Sequence, residues 1–132
     1  MKILITGGCG FIGSSLCEYL FKKLKNPKIL SVDNLYKKYS KLNQKRLSKF
    51  GIKNKKINVF KKKKFLNLNF KPDLIIDCSA EPAVEISRND IGGVLNSNLF
   101  GTFNILEKAR INNSKLIFLS SSRIYPIKES YI

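Results

Sequence analysis

The sequence predicts an α/β fold, a doubly wound parallel sheet of strand order 3-2-1-4-5 with helices on both faces. Three observations carry this prediction. Short apolar runs alternate with segments of helical period along all 132 residues. The run Leu74-Ile75-Ile76-Asp77-Cys78 is apolar enough to be buried on both faces, as a parallel strand is. A glycine-rich turn, Gly7-Gly8-Cys9-Gly10, joins the first apolar run to the first helical segment with no room for a longer connection.

The elements follow in order. Residues 2–6 form strand one, and residues 11–25 form helix one, with Ile12, Leu16, Leu20 and Leu24 on one face. Asn26-Pro27 breaks that helix before strand two, residues 28–33. A polar helical segment over residues 41–50 leads to strand three near residues 56–60, and residues 61–71, without clear period, read as loop with a short turn. Pro72-Asp73 opens strand four, residues 74–78. Gly92-Gly93 precede a strong helix in which Leu95, Leu99, Thr102, Leu106 and Ala109 make one continuous face. Asn112-Asn113 stops it before strand five, residues 115–120. The order 3-2-1-4-5 puts ligands at the carboxyl ends of strands one and four, where the winding reverses.

Composition bounds the function classes. A chain of 132 residues, 43% hydrophobic and 26% charged, reads as one soluble domain with a real core. No apolar run approaches the length that crosses a membrane, and the glycines from Gly7 onward interrupt any secretory leader, so the expected compartment is the cytoplasm. Cys9, Cys17 and Cys78 are odd in number, form no CxxC pair and have no histidine to join them. That argues against a structural zinc site and a disulfide framework, leaving small buried thiols.

The net charge of +16 raises the question of nucleic acid. Residues 22–71 hold most of the 25 basic residues and a single acid, Asp33, with Lys61-Lys62-Lys63-Lys64 the densest run. Arginine, which bidentate phosphate and guanine recognition favours, occurs only at Arg46, Arg88, Arg110 and Arg123. The charge therefore reads as a solvated lysine face, with no nucleic-acid partner expected.

The chemistry lies in the first turn. Gly7, Gly10 and Gly13 are spaced three apart between a strand and a helix, the context in which glycines mean dinucleotide binding. One makes the tight turn, one lets the backbone approach a pyrophosphate, and one lets the helix lie close on the strand. The helix then directs its free N–H groups and positive dipole end at the phosphates. Asp33, twenty positions after Gly13 at the end of strand two, stands where a carboxylate accepts hydrogen bonds from the adenosine ribose. It would repel a 2′-phosphate, which favours NAD over NADP, a preference that Lys37 and Lys38 moderate.

Four ordered blocks resemble the NAD-dependent epimerase/dehydratase family, the extended short-chain dehydrogenase/reductases. These are Thr6-Gly-Gly-Cys-Gly-Phe-Ile-Gly13, Val32-Asp33-Asn34-Leu35, Asp73-Leu-Ile-Ile-Asp-Cys-Ser-Ala80, and a pair joining residues 98–107 to residues 118–125. Together they span nearly the whole chain. The resemblance implies a Rossmann-type domain with NAD as cofactor. Gly7, Gly10, Phe11, Ile12 and Gly13 would offer backbone to the pyrophosphate, and Asp33 with Asn34 would hold the adenosine side. Cys78, Ser79 and Ala80 would line the cofactor's path, with Ser97 or Asn98 beneath it. Ser121 falls at the catalytic Ser/Thr position, whose hydroxyl binds the substrate oxygen. The 4,6-dehydratases place two acids after that hydroxyl, where this chain has Ser122 and Arg123. The string Ser-Ser-Ser-Arg-Ile-Tyr-Pro is similar to the CDP-paratose (tyvelose) 2-epimerase branch, so a nucleotide-sugar epimerase is expected.

Three departures qualify that expectation. The family's catalytic Tyr-x-x-x-Lys follows strand five, but the single such string here is Tyr19 to Lys23, in helix one. The C-terminal sugar-nucleotide domain is also absent from these residues. Residues 61–70, where the family's adenine-reaching Asp is expected, hold lysines and Phe65-Leu66-Asn67, which would weaken adenine binding. The chain is expected to be an incomplete NAD-binding domain, inactive alone, that reaches its nucleotide-sugar substrate through the missing domain and acts as a homodimer or with a complementing chain. The alternative is a stand-alone NAD-binding module with a regulatory or scaffolding role.

Overall fold

The computed structural model describes residues 1–82 and 89–120. Five parallel strands, β1 (Lys2–Thr6), β2 (Lys28–Asp33), β3 (Lys53–Lys56), β4 (Leu74–Asp77) and β5 (Lys115–Phe118), form one sheet in the order β3-β2-β1-β4-β5. The predicted order is the observed one. Side chains of β1 alternate between two cores, as a strand's period of two requires. Ile3 and Ile5 enter one core with Cys17 of α1 (Phe11–Lys23) and Leu47 of α2 (Ser40–Ser48). Leu4 enters the other with Phe65 of α3 (Lys62–Leu66) and Ile105 and Ala109 of the long helix beyond β4.

That long helix departs from the predicted phase. It begins as α4 (Ile91–Leu95), passes through a π-helical turn (Asn96–Phe100) and continues as α5 (Gly101–Asn112). The π turn inserts extra backbone and rotates everything after it. Gly101, Asn104, Ile105, Lys108 and Ala109 are buried, while Leu95, Leu99 and Leu106 remain about half exposed. Of the expected face, Ala109 alone is buried. Gly101 allows this close approach, because a β-carbon there would lie 2.8 Å from a Val59 methyl. Helix α1 shows a smaller rotation: Gly13 and Cys17 face the sheet, and Ile12 is exposed.

Strand three and the segment after it also differ from expectation. β3 occupies Lys53–Lys56, ahead of the predicted residues 56–60. Its register is set by β2, from Leu30 opposite Lys53 to Asp33 opposite Lys56, and by Asn54, which accepts a hydrogen bond from Ser31 Oγ at 2.7 Å. An edge strand needs no apolar run, and lysines there discourage pairing with another chain. Within residues 61–71, expected as loop with a short turn, Lys62–Leu66 form the short helix α3, because Phe65 is fully buried and α5 clasps the segment. Asn104 Nδ2 donates to Val59 O at 2.9 Å, and the buried Lys108 amine donates to Leu66 O and Leu68 O at 2.9 and 3.1 Å. Burial pushes the Lys108 pKa down. No helix among the described residues is long and apolar enough to cross a membrane.

Strands β1 and β4 are tied at their carboxyl ends by a buried carboxylate. Asp77 Oδ1 accepts from Thr6 Oγ1 at 2.6 Å and from Ser79 Oγ and N–H at 2.6 and 2.9 Å. Its Oδ2 is buried with no partner among the described residues. Replacing Asp77 by Ala strands the fully buried Thr6 hydroxyl, a loss of about 1–3 kcal/mol. The expected result is a lower urea midpoint with the denaturant slope unchanged.

Candidate functional site

The cleft sits where the winding reverses, over the carboxyl ends of β1, β2 and β4. Its floor is the glycine turn, and three of the glycines there are required by the fold itself. Gly7 has φ +62°, and a β-carbon on it would stand 2.5 Å from the Cys78 carbonyl oxygen. A β-carbon on Gly8 would strike Ser31 Oγ, and one on Gly13 would strike the Gly7 carbonyl oxygen. Gly10 is different. Its φ of −71° suits any residue, and a β-carbon would meet only Gly7 O, at 3.1 Å. Gly10 lines the cleft and caps α1 with no side chain over the first-turn N–H groups, and that turn carries no acid. A helix start of this kind is a positive, donor-rich surface.

Asp33 braces the cleft's second wall. One carboxylate oxygen accepts from Cys9 N–H at 3.1 Å and the other from Leu35 N–H at 2.7 Å, which links the glycine turn to the loop after β2. Each oxygen keeps a lone pair for a ligand hydroxyl. Asn34 accepts from Tyr36 N–H at 2.9 Å, closing a turn in which Leu35 adopts φ +59°. Helix α2 holds the turn from outside. Asn43 Nδ2 donates to Cys9 O at 2.9 Å, and Arg46 donates to Ser14 Oγ at 2.8 Å.

Of the residues singled out from sequence, Gly7, Gly10, Asp33, Asn34, Cys78, Ser79, Ala80 and Ser97 line this cleft. Phe11, Ile12 and Gly13 form the first turn of α1 beside it, with the Phe11 side chain 88% exposed. Asn98 stands back from it and clamps Glu81, accepting from its N–H at 2.8 Å and donating to its carbonyl at 3.0 Å. Ser121 lies outside the described residues. The Tyr19–Lys23 pair is on α1 away from the cleft lining, with Tyr19 57% exposed.

The structure adds a wall that the sequence reading placed elsewhere. Ile57, Asn58, Val59 and Phe60, whose sequence predicts strand three, line the cleft beside Tyr36, Lys37 and Ser40. Asn58 Oδ1 is buried and has no hydrogen-bond partner among the described residues. The facing wall is therefore residues 57–60 and not the lysine run after it. Their apolar character was visible, but not their departure from the sheet.

A doubly wound parallel domain with a glycine-floored cleft at its switch point is the class that this geometry defines. The chain belongs to the NAD dependent epimerase/dehydratase family, whose model matches residues 3–132. It is 35% identical to Protein CapI of Staphylococcus aureus over 95% of this chain and 39% of that protein. A dTDP-D-glucose 4,6-dehydratase of Dictyostelium discoideum is 35% identical over 94% of the chain and 30% of its own length. The CDP-paratose 2-epimerase of Salmonella typhi is 31% identical over 99% and 40%. Among solved structures, the UDP-glucose 4-epimerase of Thermus thermophilus in complex with NAD superposes with a TM-score of 0.79 at 28% identity, over 92% of this chain and 38% of that one. The chain thus spans about two fifths or less of these relatives' lengths.

The three thiols under the turn are held neutral. Burial pushes Cys9 and Cys78 up to about 11 from an ordinary 9.0, and burial with the neighbouring thiols pushes Cys17 to about 12. Above pH 9 the unfolded chain releases thiol protons that the folded chain retains. Stability is therefore complete below that pH and falls as pH rises through about 11. Thermal melts from about pH 8 to about pH 11 should show this decline, and a triple Cys→Ser variant should lose the thiol component.

Proposed function

We propose that this chain is the dinucleotide-binding portion of an NAD-dependent nucleotide-sugar epimerase. The observation that carries the reading is Gly10, where a β-carbon would be crowded less than at Gly7, Gly8 or Gly13, lying at the uncapped start of α1 and open to the cleft. A pyrophosphate there would accept from the first-turn N–H groups of Phe11, Ile12 and Gly13. Asp33 would take the adenosine ribose hydroxyls on its remaining lone pairs, with Asn34 shaping the loop beside it. Residues 57–60 line the cleft and would form the wall against adenine that residues 61–70 lack. Cys78, Ser79, Ala80 and Ser97 would line the path toward the reacting end, and Asn98 would act through Glu81.

When bound, NAD supplies a hydride acceptor for a sugar carbinol. The contribution of this chain is to bind and orient it. Ser121, by its resemblance to the family's Ser/Thr, would donate a hydrogen bond to the substrate oxygen. Ser122 and Arg123 offer no acid to protonate a leaving hydroxyl, which favours epimerisation over dehydration. These residues hold no Tyr-x-x-x-Lys near the cleft, so on this reading they are inactive alone. The nucleotide sugar would then be met through a further domain. The half-exposed row Leu95, Leu99, Phe103 and Leu106 supports a protein partner across the long helix, a second copy or a complementing chain.

Calorimetric titration with NAD tests the reading. Gly10→Ala should keep most of the wild-type melting temperature, its β-carbon meeting Gly7 O at 3.1 Å, and lose roughly tenfold or more in NAD affinity, about 1.4 kcal/mol. Gly13→Ala should lose both, since its methyl has no room against the Gly7 carbonyl. Wild-type binding by a Gly10→Ala variant would refute the cleft assignment. The purified chain should turn over no nucleotide sugar when followed by proton NMR. On sedimentation, a monomer with a cooperative melt would remove the partner from the proposal.

A further inference from the structure

The cleft is spanned by an ion pair that neither of its residues announces in sequence. Lys37 Nζ lies 2.8 and 2.7 Å from the two carboxylate oxygens of Glu81, 44 positions away. Lys37 stands on the loop after β2, four residues beyond Asp33, and Glu81 stands on the loop after β4, so the pair joins opposite sides of the cleft that both residues line. Lys37 is the single cation among the described lining residues. The Glu81 side chain is 13% exposed, and Asn98 fixes its backbone from both sides. Lys38, the neighbouring cation, does not line the cleft, and its amine sits over the Tyr39 ring at 5.9 Å.

We propose that Glu81 is a specificity-determining residue, which engages the Lys37 amine and so withholds it from a 2′-phosphate on the adenosine ribose. A lysine this close to the ribose-binding carboxylate would by itself partly offset that carboxylate's repulsion of NADP. With both carboxylate oxygens on the amine, Asp33 acts unopposed and the cleft takes the dinucleotide without the phosphate. Asn98 is a positioning residue in this arrangement, since it sets where the Glu81 carboxylate stands. The inference rests on the dinucleotide reading of the cleft.

The test compares calorimetric Kd values for NAD and NADP in the full chain. The NADP:NAD ratio cancels effects on the shared pyrophosphate. Glu81→Gln frees the amine while keeping side-chain shape, and should improve the ratio for NADP by roughly three- to tenfold, the range of one solvent-screened charge pair. Glu81→Ala should do the same by a different change, which guards against a folding defect in either variant. The double variant Lys37→Gln/Glu81→Gln should return the ratio to wild type. Unchanged ratios in both single variants, or a gain that persists without Lys37, overturn the proposal. Absence of binding of either dinucleotide by the wild-type chain overturns the cleft reading beneath it.

Discussion

The close approach of two backbones at the switch point governs the rest of this structure. Gly7 leaves β1 at φ +62° with no side chain between it and the Cys78 carbonyl. Any β-carbon would push the turn away from β4 and open the cleft floor. The same compression recurs around it, with Gly8 against Ser31 and Gly13 against the Gly7 carbonyl. Sheet, turn and helix α1 therefore form one rigid unit, and the amide groups at the start of α1 point where that unit directs them. Gly10 is the least crowded glycine of this stretch and lines the cleft, so it marks the ligand side of the turn.

Two carboxylates divide the work on either side of that floor. Asp77 is inside, 1% exposed, and gathers three donors on one oxygen to join β1 with β4. Asp33 is at the mouth and receives two backbone amides, one per oxygen, so it shapes the loop and still offers lone pairs outward. Burial decides the difference. A carboxylate taken out of water needs donors gathered around it to be tolerated, while one at a rim keeps capacity for a ligand.

The second tier of positioning comes from side chains that bridge elements. Asn98 sits in the π turn of the long helix and holds the loop after β4, which carries Glu81 to Lys37 across the cleft. Asn104 and Lys108, further along the helix, hold residues 59–68 and so place the wall that contains Asn58. The cleft is thereby assembled from opposite faces of the sheet, with α2 steadying one wall and α5 the other.

By itself the sequence determined the strand order, the glycine turn and the acid at the end of strand two. These depend on local matters: apolar runs, the steric freedom of glycine, and spacing along the chain. Most of the predicted cleft residues stand at the cleft for that reason. What tertiary structure alone decided were phases and edges. The π turn rotated the rest of the long helix away from its apolar stripe, exposing Leu106 and burying Asn104 and Lys108, whose polar ends found backbone acceptors only after folding. β3 took its register from β2 rather than from hydrophobicity, which released Ile57 to Phe60 to become a wall. Lys37 and Glu81, 44 residues apart, met because the sheet brings its loops together at one end, a proximity that no local pattern encodes.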